Sequence, residues 1–253
     1  MLAAAGSMHN TREANLRVWN DEYPWPEDGD EWKGQAQLCG VPYLEWKAAV
    51  VEHLLAPAIV PGATVLEIGP GHGRWTAEIL PRCGRAILVD LSSNCLEHCR
   101  RRFSGFDRVE YHLGDGQSLL GVETNGVDVA WSFDVFVHIE RVSFCGYLQE
   151  LGRVLRPGGS AVLHHAGRRH WALGLSFLRD RGTRGRRLYQ WLSMGRMHDD
   201  DGWRSDISAG LVRSMARHAG LRVIRQIRWW GSNRQHGVPR YGDWISFLER
   251  PAG

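Results

Sequence analysis

The segment Val65-Leu66-Glu67-Ile68-Gly69-Pro70-Gly71-His72-Gly73-Arg74-Trp75-Thr76 constrains this chain more than any other. An apolar run closes on an acid, and glycines follow at 69, 71 and 73. The pattern predicts a buried strand, a tight turn and then a helix. Glycines in such a turn tolerate positive φ and let a ligand approach the backbone. The glycine alternation alone is a weak signature, and four later segments at suitable distances strengthen it.

Arg85-Ala86-Ile87-Leu88-Val89-Asp90-Leu91-Ser92 is a second apolar strand, ending in an acid 23 residues after Glu67. In a doubly wound sheet a carboxylate at that point reaches the ribose hydroxyls of a nucleoside. Val109 to Gly116 ends in Gly-Asp-Gly, which places Asp115 to accept a hydrogen bond from an adenine amino group. Val127-Asp128-Val129-Ala130-Trp131-Ser132-Phe133-Asp134 is a strand whose end faces a reaction centre. Leu155-Arg156-Pro157-Gly158-Gly159 stops a helix and turns the chain into the strand Ser160 to His164.

In order and spacing, these segments from about Ala63 to His165 resemble the successive motifs of the class I S-adenosylmethionine-dependent methyltransferases. A looser similarity to bacterial small-molecule methyltransferases, including those acting on sugars and antibiotic scaffolds, extends to the C-terminus. A nicotinamide dehydrogenase shares the glycine turn, but its G-x-G-x-x-G needs a small residue at 74, where Arg74 stands. The Gly-Asp-Gly and Pro-Gly-Gly turns have no role there.

The resemblance implies an α/β, Rossmann-like, doubly wound sheet of seven strands. Strands are expected near 63–68, 85–90, 108–113, 127–133 and 159–165, with helices near 73–81, 93–103 and 140–155. The stretch 117–124 reads as neither. A helix at 208–219 and strands near 221–230 and 243–249 complete the chain as a final antiparallel hairpin. An N-terminal helical lid segment spans 8–62 and the methyltransferase domain 63–253, with a cap inserted after the fifth strand at 166–206. The stripe Leu44, Ala48, Val51, Leu55 predicts the buried face of a helix. Trp19, Tyr23, Trp25 and Trp32, interleaved with acids, read as an aromatic lid or a dimer contact.

At 253 residues, 43% hydrophobic and 23% charged, the chain can bury a core without staples. No apolar run approaches the ~20 residues of a membrane span. No basic region followed by an apolar stretch opens the chain, so no secretion signal is expected and the location is read as cytoplasmic. The segment before Met8, with Gly6-Ser7, is set aside as a cloning remnant. Five cysteines without a C-x-x-C pair suit a reducing compartment, although Cys95 and Cys99 lie one helical turn apart. The net charge of +3 is small, and Lys33 and Lys47 are the only lysines, so arginine abundance by itself is not read as nucleic-acid binding.

The expected cofactor is S-adenosylmethionine, leaving as S-adenosylhomocysteine. Its ligands are read as Glu67, Gly69, Gly71, Gly73, Asp90, Leu91, Asp115, Gly116 and Phe133. Methyl transfer needs the nucleophile held in line with the methyl, and a hydroxyl acceptor is helped by a general base. His165 is preferred as that base, with His138 and Asp134 as the other catalytic candidates. Trp32, His164, Arg204 and Trp230 are read as substrate-binding. Neighbouring strand residues point to opposite faces, so one of His164 and His165 faces the pocket. The cap arginines Arg168, Arg169, Arg179, Arg181, Arg184, Arg186 and Arg187 suit an anionic group on the acceptor or a solvated loop equally well. No metal is expected, because no carboxylate spacing compels one.

The reading is methyl transfer to an oxygen or nitrogen of a small metabolite, a sugar or natural-product scaffold. The partner is a small-molecule acceptor, anionic or glycosidic, rather than membrane or nucleic acid, and the aromatic segment leaves a homodimer open. Two other classes stand beside it: an RNA or protein methyltransferase, and an S-adenosylmethionine-binding protein that transfers no methyl.

Overall fold

The computed structural model describes residues 10–30, 33–195 and 204–252. Seven strands form one sheet: β1 (Thr64–Ile68), β2 (Arg85–Asp90), β3 (Val109–Leu113), β4 (Val127–Phe136), β5 (Leu155–His165), β6 (Arg222–Ile227) and β9 (Trp244–Glu249), in the order β3-β2-β1-β4-β5-β9-β6. The pairs among β1 to β5 are parallel, and β9 runs antiparallel between β5 and β6. The short pair β7 (Trp229–Trp230) and β8 (His236–Gly237) stands apart. Order reverses between β1 and β4, the place where a doubly wound sheet opens a crevice at its strand ends.

Side-chain alternation divides the core. Val65, Val129, Trp131 and Val162 face one layer, with Trp46, Leu54, Trp75, Phe133 and Trp230. Leu66, Ile68, Ala130, Ala161 and Leu163 face the other, with Phe144, Leu148 and Leu151 of helix α6 (Arg141–Val154). The period of two therefore sends His164 with Val162 and His165 with Leu163.

Between β1 and β2 the helical segment shrinks to α4 (Thr76–Ile79), because the glycine turn occupies its expected first residues. Helix α5 (Ser93–Arg102) starts on Ser92, whose Oγ accepts the Cys95 N–H at 3.1 Å. Helix α8 (Ala209–His218) is capped by Ser208 in the same way, with the Leu211 N–H 3.1 Å away. The 117–124 stretch carries turns alone.

N-terminal helices α1 (Arg12–Arg17), α2 (Gly34–Cys39) and α3 (Tyr43–Val50) precede the sheet. The expected stripe is corrected in part: Leu55 is fully buried and Val51 packs against the core, but Leu44 is 74% exposed, and the buried face also takes in Trp46, Ala49, Val50 and Leu54. The indole of Trp46 sets this rotation, since its N–H donates to the Gly237 carbonyl at 2.9 Å and its ring lies against Trp75, Phe133 and Trp230. A π-turn over Val51–Leu55 then shifts the helical phase.

The described part of the insert includes a 3₁₀ segment, His170–Asp180, followed by α7 (Gly182–Met194), and residues 204–206. Asp206 pins it: Arg168 lies 3.2 Å away, Arg179 3.0 Å, and the Tyr189 hydroxyl donates at 2.7 Å. Arg168 and Arg179 are thus structural, contrary to a role in acceptor recognition. Trp32 and the acidic run at 198–201 lie outside the described residues.

Candidate active site

A cavity of about 380 Å³ opens where the strand order reverses. That volume lies in the usual range for small-molecule sites. Gly69, Gly71, Asp90, Leu91 and Gly116 line it together with Trp19, Tyr23 and Trp25 from the N-terminal segment. Phe133, Asp134, His138, Arg74, Arg204 and Tyr241 form the opposite end. No described residue between 166 and 195 lines it, and of the insert's described residues Arg204 alone reaches the wall.

At the nucleoside end, Gly69 and Gly71 both have positive φ, and a Cβ on Gly71 would sit 2.6 Å from the Trp25 ring. Asp90 accepts the Gly71 N–H at 3.2 Å and the Ser92 N–H at 2.8 Å. Burial nevertheless pushes its carboxyl up to about 6. A ribose diol donating to this carboxylate would offset that desolvation. Asn10 Oδ1 and Trp75 Nε1 belong to cavity-lining residues, are buried, and have no hydrogen-bond partner. A ligand with both donors and acceptors meets both needs. These features fit S-adenosylmethionine, with Asp90, Leu91 and Gly116 toward the nucleoside and the Gly69–Gly71 turn beside its amino-acid end.

Three of the expected cofactor ligands stand elsewhere. Glu67 is buried beneath the turn and accepts the Thr76 hydroxyl at 2.6 Å, so it braces the turn. A Cβ on Gly73 would lie 2.5 Å from the Phe103 ring, so this glycine serves helix packing. Asp115 does not line the cavity; its Oδ1 accepts the N–H groups of Gln117 and Ser118 at 3.0 and 2.7 Å. Its neighbour Gly116 takes the wall position.

The opposite end is a buried polar cluster. Pairing between β4 and β5 is irregular from Ser132 to Phe136, and Asp134 sits within that break at φ 62°. Such a conformation is costly for a non-glycine residue and concentrates at functional sites. Asp134 Oδ2 is 2.6 Å from Arg74, and its Oδ1 is 3.1 Å from His164 Nδ1. Behind it, His164 Nε2 lies 3.5 Å from Asp243, which pairs with Arg204 at 3.2 Å. Arg204 Nη1 is 3.3 Å from His138 Nε2, and the His138 ring leans on Trp19 with centroids 5.2 Å apart. Burial by itself would push the Asp134 carboxyl up, but the His164 hydrogen bond and the Arg74 and Arg204 charges hold it far below the usual range. For His164 burial opposes the charge, yet Asp134 and Asp243 raise its proton affinity above the ordinary imidazole value.

Three expected roles are corrected here, the third being His164, which is fully buried and does not line the cavity as a substrate-binding residue would. His165 is fully buried, with Nδ1 2.7 Å from the Ala166 carbonyl and Nε2 2.6 Å from the Ser246 hydroxyl. It lies outside the cavity wall, and burial pushes its pKa down to about 4. Trp230 is a core residue against Trp46 and does not reach the cavity. His138, Asp134 and Arg204 do line it, and His164 stands directly behind Asp134. Arg74 and Asp243 escaped the sequence reading. Arg74 directly follows the last glycine of the turn, and that position was a usable signal. Asp243 carried none, because its place follows from the final hairpin.

A model of the methyltransferase domain family matches residues 65–159. The chain is 32% identical over 118 residues to a demethylmenaquinone methyltransferase of Clavibacter sepedonicus, a match covering 47% of this chain and 46% of that protein. It is 27% identical over 152 residues to nodulation protein S of Rhizobium tropici, covering 56% and 55%. The chain thus spans about half the length of these relatives. The solved N-methyltransferase NodS from Bradyrhizobium japonicum, in complex with S-adenosylhomocysteine, shares the fold at TM-score 0.54 and 16% identity, over 83% of this chain and 87% of that one. The segment that matches the methyltransferase domain model carries the turn, Asp90, Gly116 and Asp134 of the cavity.

Proposed function

We propose that this protein transfers the methyl group of S-adenosylmethionine to an oxygen or nitrogen of a small metabolite, with a sugar or natural-product scaffold as the preferred acceptor. The observation that carries this reading is the continuity of one cavity, from the Asp90 carboxylate to the Asp134–His138–Arg204 end, with Trp19, Tyr23 and Trp25 in its wall. That enclosure suits a small acceptor better than a polymer. The name of the demethylmenaquinone relative agrees with a small-molecule role.

S-Adenosylmethionine, when bound, supplies an activated methyl on a sulfonium. What this chain adds is position, exclusion of water and a place for the acceptor's proton. Trp19, Tyr23 and Trp25 line the crevice; mutual ring contacts of 5.0 to 5.8 Å hold them together. Asp134 presents an ionised carboxylate to the acceptor's O–H or N–H. Arg204, with its cation over the Tyr241 ring at 4.2 Å, and His138 complete the polar wall.

The test is incubation with methyl-labelled S-adenosylmethionine and fractionated small metabolites, followed by mass analysis. A labelled metabolite of low mass is expected. Label found in RNA or protein alone, or cofactor bound without any S-adenosylhomocysteine formed, would overturn the reading.

A further inference from the structure

We propose that Asp134, His164 and Asp243 form a buried proton relay, in which Asp134 takes the acceptor's proton and His164 stores it. This deepens the methyl-transfer reading and rests on it. His164 does not touch the cavity and acts through Asp134, so it is a positioning residue.

His164 is fully buried on the cavity face of β5, and its ring stacks on Phe133 with centroids 4.4 Å apart. One ring nitrogen meets Asp134 and the other faces Asp243. In the neutral ring, Nδ1 accepts the Asp134 backbone N–H at 3.1 Å. The same nitrogen lies 3.1 Å from Asp134 Oδ1, so a proton arriving on that oxygen has a short path to it. The irregular, left-handed backbone at Asp134 brings both groups of this residue to one imidazole nitrogen. Packing alone would not require an acid on each side of the ring.

The step balances. The bond from methyl to sulfur breaks and its electron pair stays on sulfur; the acceptor's lone pair forms the new bond to carbon. The acceptor's proton passes to Asp134 and on to Nδ1 of His164, leaving an imidazolium between two carboxylates. Asp134 by itself is a poor resting place, because its neighbours hold it far below the usual carboxylate range. The charged groups around His164 are Asp134 from β4 and Asp243 ahead of β9, with Arg74 beyond the first and Arg204 beyond the second. His165 is its chain neighbour. A base poised above the ordinary imidazole value suits work near neutral pH.

Two measurements decide the matter. The first is an NMR titration of the His164 ring in the protein without ligand. A midpoint above 6.5 is expected, moving to lower pH in Asp243→Asn; a midpoint at or below 6.5, or one unmoved by that variant, overturns the relay. The second is the pH dependence of kcat with the labelled acceptor. An ascending limb is expected at the titration midpoint, shifted toward acid in Asp243→Asn. His164→Gln should lose the limb and about 100-fold in kcat, with KM within about threefold. A limb that persists in a folded His164→Gln, or fails to move in Asp243→Asn, overturns the proposal. Absence of any methylated product instead defeats the methyl-transfer reading, and the relay falls with it whatever the titration shows.

Discussion

Single side chains here owe their roles to which face of a strand they occupy. His164 and His165 are adjacent, yet one meets two carboxylates at the cavity and the other is locked between Ala166 and Ser246. His165→Ala is expected to lower stability by about 1–3 kcal/mol, since it orphans buried partners. Turnover of the folded variant should stay within about threefold of the parent; a loss of 100-fold would restore His165 as the base. Asp134→Asn is expected to keep cofactor affinity and lose at least ~100-fold in turnover, read by calorimetry and the labelled assay. Asp90 gives a pH signature. A ribose diol favours its ionised form, and its free carboxyl titrates at about 6. Affinity for S-adenosylhomocysteine should therefore be full above pH 6 and fall as the pH drops below it. A flat profile between pH 5 and 7 would remove Asp90 from the nucleoside site.

Elements position these side chains through their ends. Ser92 works in two directions: it caps α5, and its hydroxyl donates to Asn20 Oδ1 of the N-terminal segment at 2.9 Å. Asn94 Nδ2 adds a bond to the Asn20 carbonyl at 2.8 Å. The helix start that follows Asp90 thus also holds the Asn20 turn of the N-terminal segment. Ser92→Ala should cost about 1 kcal/mol of stability and speed amide exchange across residues 19 to 25. Exchange confined to α5 would separate the cap from the Asn20 turn. The strands and most helices were legible because parallel strands buried on both faces read as apolar runs with glycine or proline between them. The stripe on α3 was not, because the pattern weighs Leu44 and Trp46 alike. Only the packed layer reveals that Trp46 finds a carbonyl and three rings.

At the scale of the whole molecule, the insert and the cavity are joined through one loop. The Arg204 carbonyl accepts Asn10 Nδ2 at 3.0 Å, Arg168 at 3.2 Å and Arg179 at 3.3 Å, while its guanidinium faces the cavity. Asp206, two residues on, pairs with both insert arginines. Asp206→Ala should destabilise the protein by about 3 kcal/mol, because it leaves buried guanidiniums uncompensated. It should also raise KM for the acceptor by displacing Arg204. Thermal melting and steady-state kinetics on the same preparation would show both effects, and an unchanged melting temperature would contradict the pinning role. Among the described residues no helix is long and apolar enough to cross a membrane.

The sequence by itself determined the doubly wound sheet and its strand ends, and it picked out Gly69, Gly71, Asp90, Leu91 and Gly116, which line one end of the cavity. Those features are local: a glycine turn, an acid closing an apolar run and a Gly-Asp-Gly step each act within a few residues of themselves. Even there, the tertiary structure separated Gly69 and Gly71, which face the cavity, from Gly73, which makes room for Phe103. At the other end the sequence named Asp134, His138, His164 and Arg204 singly, and the tertiary structure decided which of them are neighbours. Arg74, Asp134 and His164 meet where β1, β4 and β5 end side by side, and Asp243, with Arg204 on it, joins them where β9 inserts beside β5. Composition and spacing do not encode which buried charges will become neighbours, because that depends on strand register and on the irregular backbone at Asp134.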